Sequence, residues 1–146
     1  VTAVGRLHPD MIIHLGDCWA DAEQLHRKFP MTVMEQVPGN CDCRQEVQER
    51  ILLIEGKKIL ICHGHTFNVK AGYLNLEYAA EERKVDAALF GHTHRVFYDK
   101  HNRIAYMNPG SIGQPPYGIP PSYGILQVDG SSNTIATDVI YLEENN

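Results

Sequence analysis

Short apolar runs that each end in a polar cluster dominate the first two thirds of the chain. Asp10-Met11-Ile12-Ile13-His14-Leu15 stops at Gly16-Asp17, and an unbroken apolar run of that length suits a parallel strand covered on both faces. Residues 20 to 29 hold helix formers with acids early and bases late, and Pro30 closes them, the order that the helix dipole favours. Thr32 to Val37 is rich in strand formers and breaks at Pro38-Gly39-Asn40. Glu49 to Glu55 and Lys57 to Cys62 predict two strands joined as a hairpin around Gly56, the second ending at His63-Gly64-His65. The stretch from Ala71 to Lys84 predicts an amphipathic helix with Leu74 and Tyr78 on one face, and that face reads as packing rather than as a partner surface. Asp86 to Phe90 is a further apolar strand, ended by Gly91-His92-Thr93-His94.

Beyond His94 the texture changes to short strand-like pieces, Val96 to Asp99, Arg103 to Met107, Ser122 to Val128 and Thr134 to Tyr141, separated by Asn, Gly, Pro and Ser. This third predicts antiparallel pairing. The acidic tail Glu143-Glu144-Asn145-Asn146 reads as frayed, and no repeat or linker divides the chain. The expectation is one α/β domain over residues 1–146. Val1 to Leu7 carries neither a cap residue nor a turn and reads as the interior of an element.

Composition narrows the function classes. Hydrophobic residues make up 43% and charged residues 21%, with 12 Gly and 8 Pro among 146 residues, which excludes disordered, collagen-like and coiled-coil chains. A formal charge of −5 leaves no cationic footprint for sequence-independent binding of nucleic acid or an anionic membrane. The longest apolar runs fall far short of the roughly 20 residues of a spanning helix, and no basic-then-apolar leader opens the chain. Cys18, Cys41, Cys43 and Cys62 are too few and too irregular for a disulfide framework, so free thiols and a cytoplasmic location are expected.

In open α/β sheets the carboxyl ends of the strands converge on one crevice. The four clusters Gly16-Asp17, Gly39-Asn40, His63-Gly64-His65 and Gly91-His92-Thr93-His94 therefore predict one site. One carboxylate, one amide oxygen and several imidazoles suit Zn, Mn, Fe, Ni or Co better than Ca, which prefers oxygen alone. Each residue taken singly is ordinary turn or core chemistry; their order and repeated position make the metal reading. Cys18, Cys41 and Cys62 adjoin candidate ligands, but neighbours in an extended chain point apart, which favours buried or supporting thiols. His14, His26 and His101 read as surface or core histidines away from the clusters.

Gly-Asp, Gly-Asn-Cys-Asp, His-Gly-His and Gly-His-Thr-His in this order resemble the calcineurin-like metallophosphoesterase superfamily, and its small bacterial and archaeal phosphodiesterases in particular. The resemblance covers nearly the whole chain and implies an α/β fold, a sandwich of two mixed β-sheets flanked by helices around a dinuclear centre of Mn, Ni, Fe or Zn. It implies that Asp17 bridges both ions, that Asn40, His63 and His92 complete one of them, and that His94 serves the other. Asp17, Asn40 and His65 are the expected catalytic residues, with His65, just beyond the ligand candidate His63, as a candidate contact to phosphate or water.

Two departures accompany it. The family places a D-x-H motif at the end of its first strand, and none precedes Asp17 here. On the length of a βαβ unit, an upstream segment of roughly 20 to 25 residues is expected, with its neighbouring strands unpaired without it. A natural one-metal descendant that has lost catalysis is the competing account. The second departure is Cys41, which stands where many members carry a His that acts on the leaving group, and a thiol is a poor acid near neutral pH. Asn108-Pro109-Gly110-Ser111 resembles the family's closing turn, or is simply a β-turn; Tyr117 and residues 114 to 121 read as a pocket rim or an ordered loop. The expected activity is hydrolysis of a small phosphodiester or phosphomonoester by metal-activated water, with a noncatalytic metal-binding or protein-interaction module as the alternative. Both a monomer and an oligomer fit the sequence.

Overall fold

A computed structural model of the protein describes residues 1–43 and 47–143. The elements run α1 (Thr2–Leu7), β1 (Met11–His14), α2 (Trp19–Lys28), β2 (Val33–Gln36), β3 (Glu49–Ile54), β4 (Lys57–Cys62), a 3-10 turn at His65–Phe67, α3 (Leu74–Glu82), β5 (Ala87–Leu89), β6 (Val96–His101), β7 (Ile104–Pro109), β8 (Ser122–Asp129) and β9 (Thr134–Tyr141). The tail expected to fray lies, from residue 144 onward, outside the described residues.

A five-stranded mixed sheet in the order β3-β4-β5-β7-β6 forms the centre. Its three inner strands alternate with period two, as strands covered on both faces must. Leu60, Cys62, Ala88, Ile104 and Tyr106 point to one side, where they meet Leu76 and Ala80 of α3 and the aromatic rings of Tyr73, Phe90 and Phe97. Ile59, Ile61, Ala87, Leu89, Ala105 and Met107 point to the other, against Met11, Ile13 and Val37 from the β1–β2 region and Leu126, Ile135 and Val139 from β8 and β9. The second layer of the sandwich is thus two separate ladders, parallel β1–β2 and antiparallel β8–β9.

Turn chemistry fixes two hairpins. Glu55 and Gly56 both have positive φ, 50° and 79°, and so do Asn102 and Arg103, 49° and 66°, the signature of two-residue type I′ loops. The first joins Ile54 to Lys57 and the second joins His101 to Ile104.

Two expectations need correction. The last third is not wholly antiparallel: β6–β7 and β8–β9 are, but β7 inserts beside β5 and pairs with it in parallel. Leu74 and Tyr78 do share a helix face, yet it is the outer one, 57% and 61% exposed, while Leu76, Ala79 and Ala80 are buried. The small alanines let α3 lie close on the sheet, so spacing rather than bulk decides which face goes in. No helix among the described residues is long and apolar enough to cross a membrane.

Candidate metal centre

The carboxyl ends of β1, β2, β4 and β5 meet where the two layers join. Val37 N–H, just past β2, donates to His14 O at 3.1 Å, and Gly91 N–H, just past β5, donates to His63 O at 2.8 Å. Both loop pairs are thereby locked together. After β1 the chain turns through three successive left-handed residues, Gly16, Asp17 and Cys18, with φ 106°, 60° and 54°. His92 and His94 are left-handed as well, at 66° and 58°. Such conformations cost a non-glycine residue roughly 1–3 kcal/mol each and persist where the surroundings impose them.

His63 is the pivot. Only 2% exposed, it places Nδ1 2.8 Å from Leu15 O, so Nδ1 carries the proton and donates while Nε2 keeps its lone pair. Nε2 then faces Asn40 Oδ1 at 3.1 Å, His92 Nδ1 at 3.1 Å and Asp17 Oδ2 at 3.5 Å. Burial lowers the pKa of His63, against the Leu15 hydrogen bond and Asp17, which raise it. Burial also lowers His92, to about 4, with His63 and Lys70 acting in the same direction. Both imidazoles are neutral at pH 7, so this is a gathering of acceptors with at most one proton to share. A cation satisfies such a set. Donors about 2.1 Å from a common ion lie roughly 3.0–3.4 Å from one another, the spacing of Asn40 Oδ1 and His92 Nδ1 from His63 Nε2, with Asp17 Oδ2 just beyond it. Asn40 joins the group through its Oδ1 beside His63 Nε2; among the described residues no three His, Cys, Asp or Glu side chains are drawn together closely enough to hold a metal ion.

Asp17 lies between this group and His94, whose Nε2 is 3.8 Å from the same Oδ2. Its Oδ1 accepts Cys41 N–H at 3.2 Å. The Asp17 carboxylate also pushes the exposed Cys41 thiol above its ordinary pKa, which leaves the thiol protonated and a poor proton donor at neutral pH. His65 opens the 3-10 turn, its ring 5.3 Å from that of His63 and 6.1 Å from that of His92, with Nδ1 buried and unpartnered. It borders the donor set without joining it.

Some assignments shift. Cys18, Cys41 and Cys43 are exposed and Cys62 alone is buried, all four unpaired, so the thiols beside Asp17 and Asn40 are not buried. His14 is not remote from the clusters: its Nδ1 accepts Gly16 N–H at 3.3 Å, and burial lowers its pKa against the nearby carboxylates of Asp42, Asp21 and Asp17, with His63 lowering it further. The chain's single D-x-H triplet, Asp99-Lys100-His101, lies at the exposed hairpin end of β6, opposite the site. Sequence reasoning passed over Asp42. Its Oδ2 accepts Gly39 N–H at 2.7 Å and its Oδ1 accepts Trp19 N–H at 3.0 Å, capping α2 in place of the missing side-chain cap. An Asp two residues after a strand-end Asn was the available signal.

A two-layer α/β sandwich whose strand ends gather carboxylate, amide and imidazole donors is the frame of a metallophosphoesterase. The sequence model of the calcineurin-like phosphoesterase superfamily domain matches residues 1–131, and the chain belongs to that superfamily. It is 36% identical over 128 residues to the probable metallophosphoesterase YsnB of Bacillus subtilis, covering 86% of this chain and 73% of that protein. It is 30% identical over 114 residues to phosphodiesterase YfcE of Escherichia coli, covering 78% of this chain and 50% of that protein, so it spans about half of YfcE. A conserved uncharacterized protein of Streptococcus pneumoniae, described as a predicted phosphoesterase, superposes with TM-score 0.79 at 25% identity, covering 96% of this chain and 79% of the other.

Proposed function

We propose that the protein is a metal-dependent phosphodiesterase whose centre is held by Asp17, Asn40, His63 and His92, with His94 on the far side of Asp17. The observation that carries this reading is the convergence of Asn40 Oδ1, His92 Nδ1 and Asp17 Oδ2 on the unprotonated Nε2 of His63. A divalent ion bound there supplies a Lewis acid and lowers the pKa of water, and Mn, Fe, Ni, Co or Zn suits these donors. His63 is oriented for this by Leu15 O, and Asp17 by Cys41 N–H, so neither must reorganise to bind. His65 borders the donors, where its ring is available to orient a phosphoryl oxygen. With Cys41 protonated and beside a carboxylate, a good leaving group is needed, which favours activated diesters over unactivated monoesters. Unpaired thiols suit a reducing compartment, and the cytoplasm is the proposed location.

Hydrolysis of bis(p-nitrophenyl) phosphate with saturating Mn(II) tests the reading. His92→Ala is expected to lose about 100-fold or more, because even loss of an outer partner commonly costs 10–100-fold. Undiminished turnover in His92→Ala would remove that residue from the centre. Absence of turnover in the parent chain, with metal bound, would favour a noncatalytic metal-binding module.

A further inference from the structure

We propose that Asn108 is the positioning residue for His92 and His94: its amide holds the turn that aims the His92 imidazole at His63 Nε2 and the His94 imidazole at Asp17. The inference rests on the metal-dependent reading above and adds a residue to which that reading gives no role. Asn108 ends no ligand cluster, yet it is fully buried at 0% exposure. Its Nδ2 donates to Gly91 O at 3.0 Å and to Thr93 Oγ1 at 2.9 Å, and its Oδ1 accepts Gly110 N–H at 3.0 Å.

The segment it grips needs a grip. Thr93 N–H donates to Gly91 O at 2.8 Å across His92, whose φ is 66°. A hydrogen bond to the second residue back around a positive φ is the strained form of the γ-turn. His94 follows with φ 58°. Two left-handed histidines in three residues do not hold themselves, and outside constraints must impose them. Gly91 O accepts from both Thr93 N–H and the Asn108 amide. Thr93 Oγ1 takes the second amide proton and also accepts Arg95 N–H at 3.1 Å, which pins both ends of His94. The other side of Asn108 is anchored in turn. Gly110 has φ 80°, a Cβ there would land on Ser122 Oγ, and Ser122 Oγ–H donates to Pro109 O at 2.7 Å. Asn fits because one short side chain supplies two donors and one acceptor; Asp keeps the acceptor and loses both donors.

The test uses the full chain with Asn108→Asp, Thr93→Val and Thr93→Ser, and two readouts. One is calorimetric titration with Mn(II) alone. The other is the long-range 1H–15N spectrum of the imidazole rings without metal. Asn108→Asp and Thr93→Val are expected to weaken Mn(II) binding about 10-fold or more and to move the ring signals of His92 and His94 while those of His26 and His101 stay put. Thr93→Ser, which restores the hydroxyl, should return both readouts to the parent values. Parent-like Mn(II) binding and ring signals in Thr93→Val would overturn the proposal, and they decide it if Asn108→Asp does not fold. Should the parent chain take up no Mn(II), the metal-dependent reading falls. The ring spectra then decide positioning alone: selective movement of His92 and His94 upholds it, and unmoved signals overturn it.

Discussion

Gly39 and Gly56 are both glycines for physical reasons, and the reasons differ. At Gly39 a Cβ would land on the backbone and carboxylate of Asp17, because the loops after β1 and β2 pass that closely. At Gly56 a Cβ meets nothing, but φ is 79°. Gly56→Ala should therefore cost about 1–2 kcal/mol through the left-handed backbone alone. Gly39→Ala should cost about 1–3 kcal/mol through forced displacement, and it should also weaken metal binding, since the displaced group is Asp17. Urea denaturation of the two variants with and without Mn(II) separates the effects; a Gly39→Ala chain with parent stability and metal affinity contradicts the close approach. Asp17, Asn40, His63, His92 and His94 stood out in the sequence because each lies at the end of an apolar run, beside or near a glycine or another histidine. Asp42 and Asn108 stood out less, because the bonds that matter to the site, to Trp19 N–H and to Gly91 O and Thr93 Oγ1, reach segments distant in sequence.

Strand positions were legible to within about two residues, since β4, β5 and β7 are covered on both faces and each carries an apolar stretch, Ile59 to Cys62, Ala87 to Leu89 and Ile104 to Met107, with polar or turn residues beyond it. The packing of α3 was not. Its most apolar pair, Leu74 and Tyr78, lies outward, while Leu76, Ala79 and Ala80 at i, i+3 and i+4 fit the sheet. Leu76→Ala should cost about 2–5 kcal/mol as a buried truncation, and Leu74→Ala no more than about 0.5 kcal/mol as a surface one. Equal midpoints in chemical denaturation would contradict this orientation. The parallel pairing of β7 with β5 also escaped the sequence, because a hairpin fixes only one edge of a strand and the partner on its other edge is a matter of tertiary packing.

The centre joins layers as well as residues. Asp17 and Asn40 come from the β1–β2 side, His63 and His92 from the five-stranded sheet, and no ladder hydrogen bonds connect the two sheets among the described residues. The apolar face shared by the layers and the Arg50–Glu35 ion pair hold them together without metal. Protons act on the same seam. His92 titrates near 4 in the folded chain against 6.5 as its ordinary value, and His63 is lowered too. The unfolded chain thus binds protons first, so these histidines make the metal-free protein lose stability as pH falls from about 6.5 toward 4, with no further loss from His92 below that. Thermal melts across this range check it, and His92→Gln should flatten the dependence. Protonation also competes with metal, so Mn(II) binding should weaken over the same range. The central claim is that the four strand ends form one metal-binding set. Elemental analysis of the chain after Mn(II) loading and gel filtration, beside His63→Ala prepared identically, tests it most directly. The account predicts at least one Mn retained per parent chain and none by His63→Ala; no metal in the parent, or equal metal in both, would contradict it.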